Sequence, residues 1–270
     1  MRRWVMQIAL VLMPVLAGAE NTGLQTLETT DSGRGWEAVG RLDINGKGFC
    51  TGSLIAPDLV LTAAHCLFDK TTKQLINTNS VEFRAGWRNG RASAYRYVRR
   101  AIVHPDYVYD GEVSSERVRN DIALLELQSP INNTTVIPFE TTARPLKGDE
   151  VGVVSYAKDR AEAPSLQQVC KVMGRQQGVL VMSCDVDYGS SGAPVFTFDG
   201  NIPRIVSVVS AKAEVRGERV ALGTQLDEPL QLLRAELAAG RGFGGVAETG
   251  IRRVAVGQTR RETGAKFIKP

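Results

Sequence analysis

Short runs in which apolar and polar residues alternate fill most of the chain between Trp36 and Leu226. Examples are WEAVGRLDI, SVEFRAGW, DIALLEL and PRIVSVVSA, and most of the runs are separated by Gly, Asn, Asp or Pro. Successive side chains of a β-strand point to opposite faces, so a period of two predicts strands. About a dozen such runs, with no long helical pattern between them, predict an all-β fold.

One helical pattern follows the last strand pattern, in LDEPLQLLRAELAAG. Its leucines recur at the spacing that places them on one face of a helix. These leucines are Leu226, Leu230, Leu233 and Leu237. Asp227 is predicted to cap the start of the helix, and Gly240 is predicted to end it. The sequence therefore predicts a C-terminal helix after the strands.

Residues 1–19 have the pattern of an export signal. MRR is basic, WVMQIALVLMPVLA is an apolar run, and AGA places small residues before the end of the segment at Ala19. The apolar run is short for a membrane span. We expect cleavage after Ala19 and a secreted or periplasmic protein; the alternative is an uncleaved anchor.

Two polar segments flank the strand-rich part of the chain. Residues 20–35 have few apolar residues and are predicted to be a linker or a pro-segment. Residues 241–270 are rich in Gly and Arg, and we expect a flexible basic tail. The tail is a candidate for weak contact with anionic surfaces, and the alternative is a solvated or proteolysed end.

The net charge of +4 comes from the two ends of the chain. Without the signal and the tail, the remaining residues carry about −3. A basic isoelectric point that comes from the ends is not evidence for a nucleic-acid-binding domain, and we expect no nucleic-acid partner.

The chain has four cysteines, which permit three pairings. An exported protein enters an oxidising compartment in which disulfides persist. The sequence spacings suggest two local bridges, Cys50–Cys66 and Cys170–Cys184. The sequence has no Cys/His spacing typical of zinc sites, so we expect no metal.

The chain has two histidines, and only one of them has a sequence context that suggests chemistry. His65 follows the apolar run DLVLTAA and precedes Cys66, so a bridge to Cys50 would hold its loop. His104, in IVHPDY, is predicted to be a packed or solvated turn residue. Asp121 precedes the strand pattern ALLEL, and a carboxylate beside an imidazole fixes its tautomer and stabilises the imidazolium.

TAAHC, NDIALL and GSSGAP, in this order along the chain, resemble the motifs of the chymotrypsin-like serine peptidases. The resemblance covers Trp36 to Gly240, includes both cysteine spacings, and is closest to the bacterial secreted type. It implies two packed six-stranded antiparallel β-barrels. Residues 36–140 would form the first barrel, and residues 141–240 would form the second barrel and the C-terminal helix.

The resemblance also implies the roles of individual residues. His65 would be the general base and then the general acid, Asp121 would orient it, and Ser191 would be the nucleophile. The N–H groups of Gly189 and Ser191 would bind the oxyanion. Ser210 would steady Asp121 and line the substrate strand. The implied partners are protein or peptide substrates, without a cofactor.

Two positions depart from the family pattern. Ser190 stands where the animal enzymes carry the Asp that receives the ammonium released on zymogen cleavage. The activation route is therefore open, with cleavage after Ala19 or near Arg34. Asp185 stands where the trypsin-like members bind basic residues, and Asp187 is a rival for this role. Lys212 would neutralise Asp185 or favour acidic substrates.

The sequence thus leaves two functions open. The first is an exported serine endopeptidase that acts through an acyl-enzyme intermediate and is trypsin-like if Asp185 binds the substrate. The alternative is a protease-fold binding protein without catalysis, in which Ser190 is accompanied by a collapsed oxyanion hole.

Overall fold

The computed structural model describes residues 23–110, 114–142, 145–200 and 202–244. The predicted signal, residues 1–19, lies outside the described residues, as does the predicted tail beyond Gly244. The described part contains no helix that is both long and apolar enough to cross a membrane.

Strands dominate the described residues, as the alternating pattern predicts. They are β1 (Leu24–Thr26), β2 (Val39–Ile44), β3 (Gly48–Ala56), β4 (Leu59–Thr62), β5 (Val81–Ala85), β6 (Ala94–Val103), β7 (Ala123–Leu127), β8 (Glu150–Ala157), β9 (Arg160–Gln176), β10 (Val179–Met182), β11 (Pro194–Asp199), β12 (Ile202–Val215) and β13 (Glu218–Gln225). Two α-helices accompany them, α1 (Ser115–Arg119) and α2 (Asp227–Ala238).

The first half of the chain forms a closed barrel. Its strands follow the order β2-β3-β4-β7-β6-β5, and β2 pairs with β5 to close it. Every pairing in it is antiparallel. Alternate residues point inward, and Leu42, Val60 and Phe83 are almost fully buried in its core.

Strands β8 to β13 of the second half, together with β1 from the N-terminal segment, form a seven-stranded sheet with the order β1-β9-β10-β13-β12-β11-β8. Because β8 also pairs with β9, six of these strands form a closed ring of antiparallel pairings. The predicted all-β fold with a C-terminal helix is confirmed, and β1 is a strand beyond the expected six.

Strand β1 lies within the segment that was expected to be a linker. Leu24 to Thr26 pair with Ser165 to Gln167 of β9, and the next residue, Leu27, is buried. The sequence LQTL is too short for a convincing alternation, and only its partner in the distant β9 makes it a strand.

Helix α2 packs against the first barrel, on β6 and β7. Leu230, Leu233 and Leu237 form its buried face, as the leucine spacing predicts. The prediction that Asp227 is the cap is wrong: Leu226 precedes the helix without a side-chain cap, and Asp227 is its first residue. A carboxylate in the first turn still interacts favourably with the helix dipole.

The two halves meet at buried polar and aromatic contacts. Thr51 of β3 is fully buried, and its Oγ1 donates to the Gly189 carbonyl at 2.8 Å and accepts from the Tyr156 N–H at 3.1 Å. The ring of Trp36 packs edge-on against Phe196 of β11, with centroids 5.1 Å apart. These contacts fix the position of the Gly189 loop on the first barrel.

Candidate active site

The loop of His65 is held on both sides. Strand β4 ends at Thr62, and a single 3-10 turn, Ala64–Leu67, carries His65 away from the barrel. Within this turn, Cys66 forms a disulfide with Cys50 of β3. The disulfide therefore restrains the backbone of the turn that carries His65.

A buried carboxylate lies against the imidazole. Asp121 follows helix α1, and its side chain is 4% exposed, whereas that of His65 is 23% exposed. The Asp121 Oδ2 lies 2.7 Å from His65 Nδ1, and Oδ1 accepts the backbone N–H of His65 at 2.9 Å. The carboxylate thus fixes the ring tautomer, leaving Nε2 as the nitrogen that can accept a proton.

Ser210 completes the surroundings of this carboxylate. Its hydroxyl donates to Asp121 Oδ2 at 2.5 Å, although the two residues come from different halves of the chain. Asp121 therefore accepts three hydrogen bonds, and these compensate for the burial of its charge.

Ser191 lies on a tight turn that packs against the strand ends of the first barrel. The Ser191 carbonyl accepts the Thr51 N–H at 2.9 Å. Gly192 has a φ of +77°, and a Cβ there would lie 2.1 Å from Thr62 Oγ1 and 2.8 Å from the Ala63 nitrogen. The turn thus requires glycine next to the segment that leads to His65.

The Ser191 hydroxyl itself has no hydrogen-bond partner among the described residues, so the structure does not join it to His65 directly. Catalytic hydrogen bonds are often long before substrate binds, so this geometry does not exclude a nucleophile.

The amides of the same turn divide into two groups. The first group donates to backbone carbonyls: Ser190 to Asp187, Gly192 to Val209 and Ala193 to Ser190. The second group consists of Gly189 and Ser191, whose N–H groups have no acceptor within the described part of the chain. Two neighbouring free N–H donors are the arrangement that binds an oxyanion.

Ser190 occupies a buried and uncharged environment. It is fully buried, and its Oγ lies 3.1 Å from Ser155 Oγ and 3.3 Å from the Tyr156 carbonyl. It also accepts the Asp187 N–H at 3.3 Å. Hydrogen bonds between neutral groups therefore hold the turn, and the sequence alone gives no sign of Ser155 as the partner.

Lys212 pairs with Asp187 rather than with Asp185. Its Nζ lies 2.6 Å from Asp187 Oδ1 and 4.4 Å from the ring centre of Tyr188. The hydrogen bond between them lowers the pKa of Asp187 and raises that of Lys212. The Asp185 N–H donates to Gln167 Oε1 at 2.7 Å. No cation among the described residues pairs with the Asp185 carboxylate.

Strand β12 has an open edge beside Ser191. Beyond Ser210 it continues to pair with β13, but its pairing with β11 ends where Val208 meets Pro194. No described strand covers this edge between Ala211 and Ala213. An extended peptide can therefore add to the sheet here, next to the candidate nucleophile.

A cavity of about 140 Å³ opens beside His65, Asp121 and Ser210. Its other walls include Tyr109 and Arg117, which the sequence pattern did not single out because no motif surrounds them. His104 lies outside this site: it is buried, burial lowers its pKa, and its Nδ1 accepts the Asp106 N–H at 3.3 Å.

Two sulfur atoms near His65 do not create a metal site. Cys50, His65 and Cys66 lie close enough to share an ion. However, Cys50 and Cys66 are bonded to each other in a disulfide, and a cysteine binds a metal as a thiolate. The second bridge, Cys170–Cys184, holds the start of the loop that leads to Ser191.

The fold, with a closed six-stranded barrel and a second antiparallel sheet, is that of the chymotrypsin-like serine peptidases. The family model described as Trypsin matches residues 28–227, and the chain belongs to this family. A solved structure of a Glu endopeptidase in complex with MPD has the same fold. It has a TM-score of 0.66 and 18% identity, and the match covers 80% of this chain and 97% of that one.

Curated relatives include bacterial and animal proteins. A glutamyl endopeptidase of Bacillus licheniformis is 29% identical over 150 residues, covering 55% of this chain and 45% of that protein. A trypsin of Simulium vittatum is 31% identical over 193 residues, covering 61% and 73%. Human serine protease 23 is 29% identical over 163 residues, covering 54% and 42%. The chain thus spans less than half of the glutamyl endopeptidase and of serine protease 23.

Proposed function

We propose that the protein is a serine endopeptidase that cleaves peptide bonds through an acyl-enzyme intermediate. The observation that supports this most directly is the buried Asp121 carboxylate, which lies 2.7 Å from His65 Nδ1. The turn with the two free amides packs at Gly192 against Thr62 and Ala63, in the segment that leads to His65. Membership of the Trypsin family supports peptidase activity in this chain.

In the proposed reaction, the Ser191 Oγ attacks the substrate carbonyl while His65 Nε2 takes its proton. Asp121 stabilises the imidazolium, and the N–H groups of Gly189 and Ser191 stabilise the oxyanion. The C–N bond then breaks, and the amine leaves with the proton from His65. Water, deprotonated by His65, hydrolyses the acyl-enzyme and restores Ser191.

A fluorophosphonate probe tests this proposal, because it forms a covalent adduct only with an activated serine. We expect the folded wild-type protein and Ser190→Ala to be labelled, and Ser191→Ala to remain unlabelled. Mass spectrometry of the labelled peptide identifies the modified serine. A folded wild-type protein that takes up no probe would support the alternative, a binding protein without catalysis.

We further propose that Asp185 gives the enzyme a preference for cleavage after Arg or Lys. Lys212 is engaged by Asp187 and leaves the Asp185 carboxylate without a cation among the described residues. The competing specificity is for acidic residues: Lys212 brings positive charge to the same loop, and one relative is named a glutamyl endopeptidase.

Cleavage of a peptide library that varies the residue before the scissile bond distinguishes the two specificities. We expect Arg and Lys to dominate for the wild-type protein, with kcat/KM for these substrates falling about 100-fold in Asp185→Asn. The matched control is Asp149→Asn, which removes an exposed carboxylate in the turn before β8. A dominant preference for Glu that Lys212→Gln abolishes would overturn this assignment.

We propose an exported location, secreted or periplasmic and of the bacterial type, on the basis of the signal pattern and the two disulfides. Contact of the basic tail with anionic surfaces stays a prediction from the sequence. Of the predicted tail, only residues 241–244 are described, and among these Phe243 exchanges two backbone hydrogen bonds with Ala101 of β6.

A further inference from the structure

The cavity beside His65 has space for one amino-acid side chain. It measures about 140 Å³, and its walls mix the catalytic candidates with groups that have no role in the proposed reaction. These additional walls are Tyr109, Arg117, Val118 and Ala211. Because Ala211 contributes only a methyl group, the space in front of Ser210 stays open.

A substrate bound along β12 would send one particular side chain into this cavity. Successive side chains of an extended peptide point to opposite sides. If the side chain of the attacked residue points toward the Asp185 loop, the side chain of the preceding residue points toward His65 and Ala211. The cavity therefore faces the residue immediately before the one whose carbonyl is attacked.

The charges around the cavity favour an anion. The Asp121 carboxylate is buried and already accepts three hydrogen bonds. The guanidinium of Arg117 lines the cavity and lies 5.7 Å from the ring centre of Tyr109. The Lys73 ammonium lies 5.3 Å from the same ring centre and 3.6 Å from Asp110. Lys73 is therefore paired and lies outside the cavity lining, and Arg117 is the one Lys or Arg among the described residues that line it.

The position of Arg117 is set by its surroundings. Tyr109 stacks on Phe68, just beyond the His65 turn, with ring centres 4.8 Å apart. Arg117 itself lies in α1, directly before the buried Val118. A guanidinium has five N–H donors, so it can keep its existing contacts and still bind a carboxylate.

We propose that Arg117 is a specificity-determining residue that selects an acidic side chain at the substrate position immediately before the attacked residue. This inference rests on the proposed endopeptidase function. Arg117 acts on substrate binding: its charge-assisted hydrogen bonds form in the Michaelis complex and persist through the reaction, so they lower KM without changing kcat.

Two fluorogenic peptides that differ only in Glu or Gln at this position test the inference, since the two side chains have the same shape. We expect the wild-type protein to cleave the Glu peptide with a kcat/KM about five- to tenfold higher, through KM. Arg117→Ala should bring the ratio close to one, and Arg117→Glu should favour the Gln peptide. The matched control, Arg119→Ala, removes a cation from the same helix that does not line the cavity, and should keep the wild-type ratio.

The outcomes separate this inference from the proposed function. A wild-type ratio near one, with both peptides cleaved and the fluorophosphonate adduct present, would overturn the role of Arg117 and leave the endopeptidase intact. Absence of both cleavage and adduct would overturn both. If Arg117→Ala does not fold, added salt provides the second measurement: it should weaken the Glu preference of the wild-type protein.

Discussion

Ser190 shows how one residue can replace an ion pair with neutral contacts. The animal enzymes that the sequence resembles place an aspartate here, and an ammonium must reach it. In this protein the side chain is fully buried beside Ser155 and the Tyr156 carbonyl, with no charge among these contacts. Within the described residues, neutral hydrogen bonds hold the turn that carries the two free amides, and we expect it to need no new chain terminus.

The variant Ser190→Asp tests whether a cation lies within reach of the side chain at position 190. A carboxylate without a cation should lower the free energy of unfolding by about 3 kcal/mol at pH 7, against about 1–2 kcal/mol for the control Ser190→Ala. Burial raises the pKa of the introduced carboxyl, so the deficit should shrink as the pH falls. Urea titrations in the Ser191→Ala background avoid self-digestion. Equal stability of the two variants would mean that a cation does reach the turn.

For individual residues, the sequence predicted a role where a motif surrounds the residue. His65, Asp121 and Ser210 were identified from their neighbours, and the structure brings these three together. Ser155 and Arg117 were missed, because their importance comes from residues far away along the chain. Such contacts leave no local pattern.

Among the elements, strand β1 distinguishes the two cleavage sites that the sequence leaves open. Cleavage near Arg34 would remove β1 and the buried Leu27, whose N–H donates to the Pro164 carbonyl at 2.9 Å. Cleavage after Ala19 would keep all of these contacts. We therefore expect cleavage after Ala19 to give the more stable mature protein.

A comparison of two shortened forms tests this view. A form that begins at Gly35 should have a free energy of unfolding at least about 3 kcal/mol below that of a form beginning at Glu20, because it loses a buried leucine and a strand. Urea denaturation of both forms, again in the Ser191→Ala background, measures the difference. Leu27→Ala in the longer form separates the leucine from the strand. Equal stability of the two forms would make cleavage near Arg34 as acceptable as cleavage after Ala19.

For elements, the period of two predicted most strands and the leucine spacing predicted α2. The period of two could not predict β1, which has only three residues. The leucine spacing could not predict that α2 starts at Asp227. Short elements depend on their partners more than on their own pattern, since three residues give too few alternations to be distinctive.

For the whole molecule, the strand pattern predicted the class of fold but not the way the halves meet. The family resemblance predicted the two barrels. The structure adds that α2, which follows the second barrel in the chain, packs against the first barrel. Neither the motifs nor the periodicity encodes that return, because it depends on which apolar surface of the first barrel stays uncovered.

The buried Thr51 has a consequence for the newly made protein. It belongs to the first barrel, yet its hydrogen bonds reach Gly189, Ser191 and Tyr156 of the second. Synthesis produces His65 and Asp121 long before Ser191. A partly synthesised chain therefore contains His65 and Asp121 but not the turn that carries Ser191. In the proposed enzyme, we expect peptidase activity only after the last strands have docked. If the protein is the proposed enzyme, we expect a partly synthesised chain to be inactive because it lacks the nucleophile.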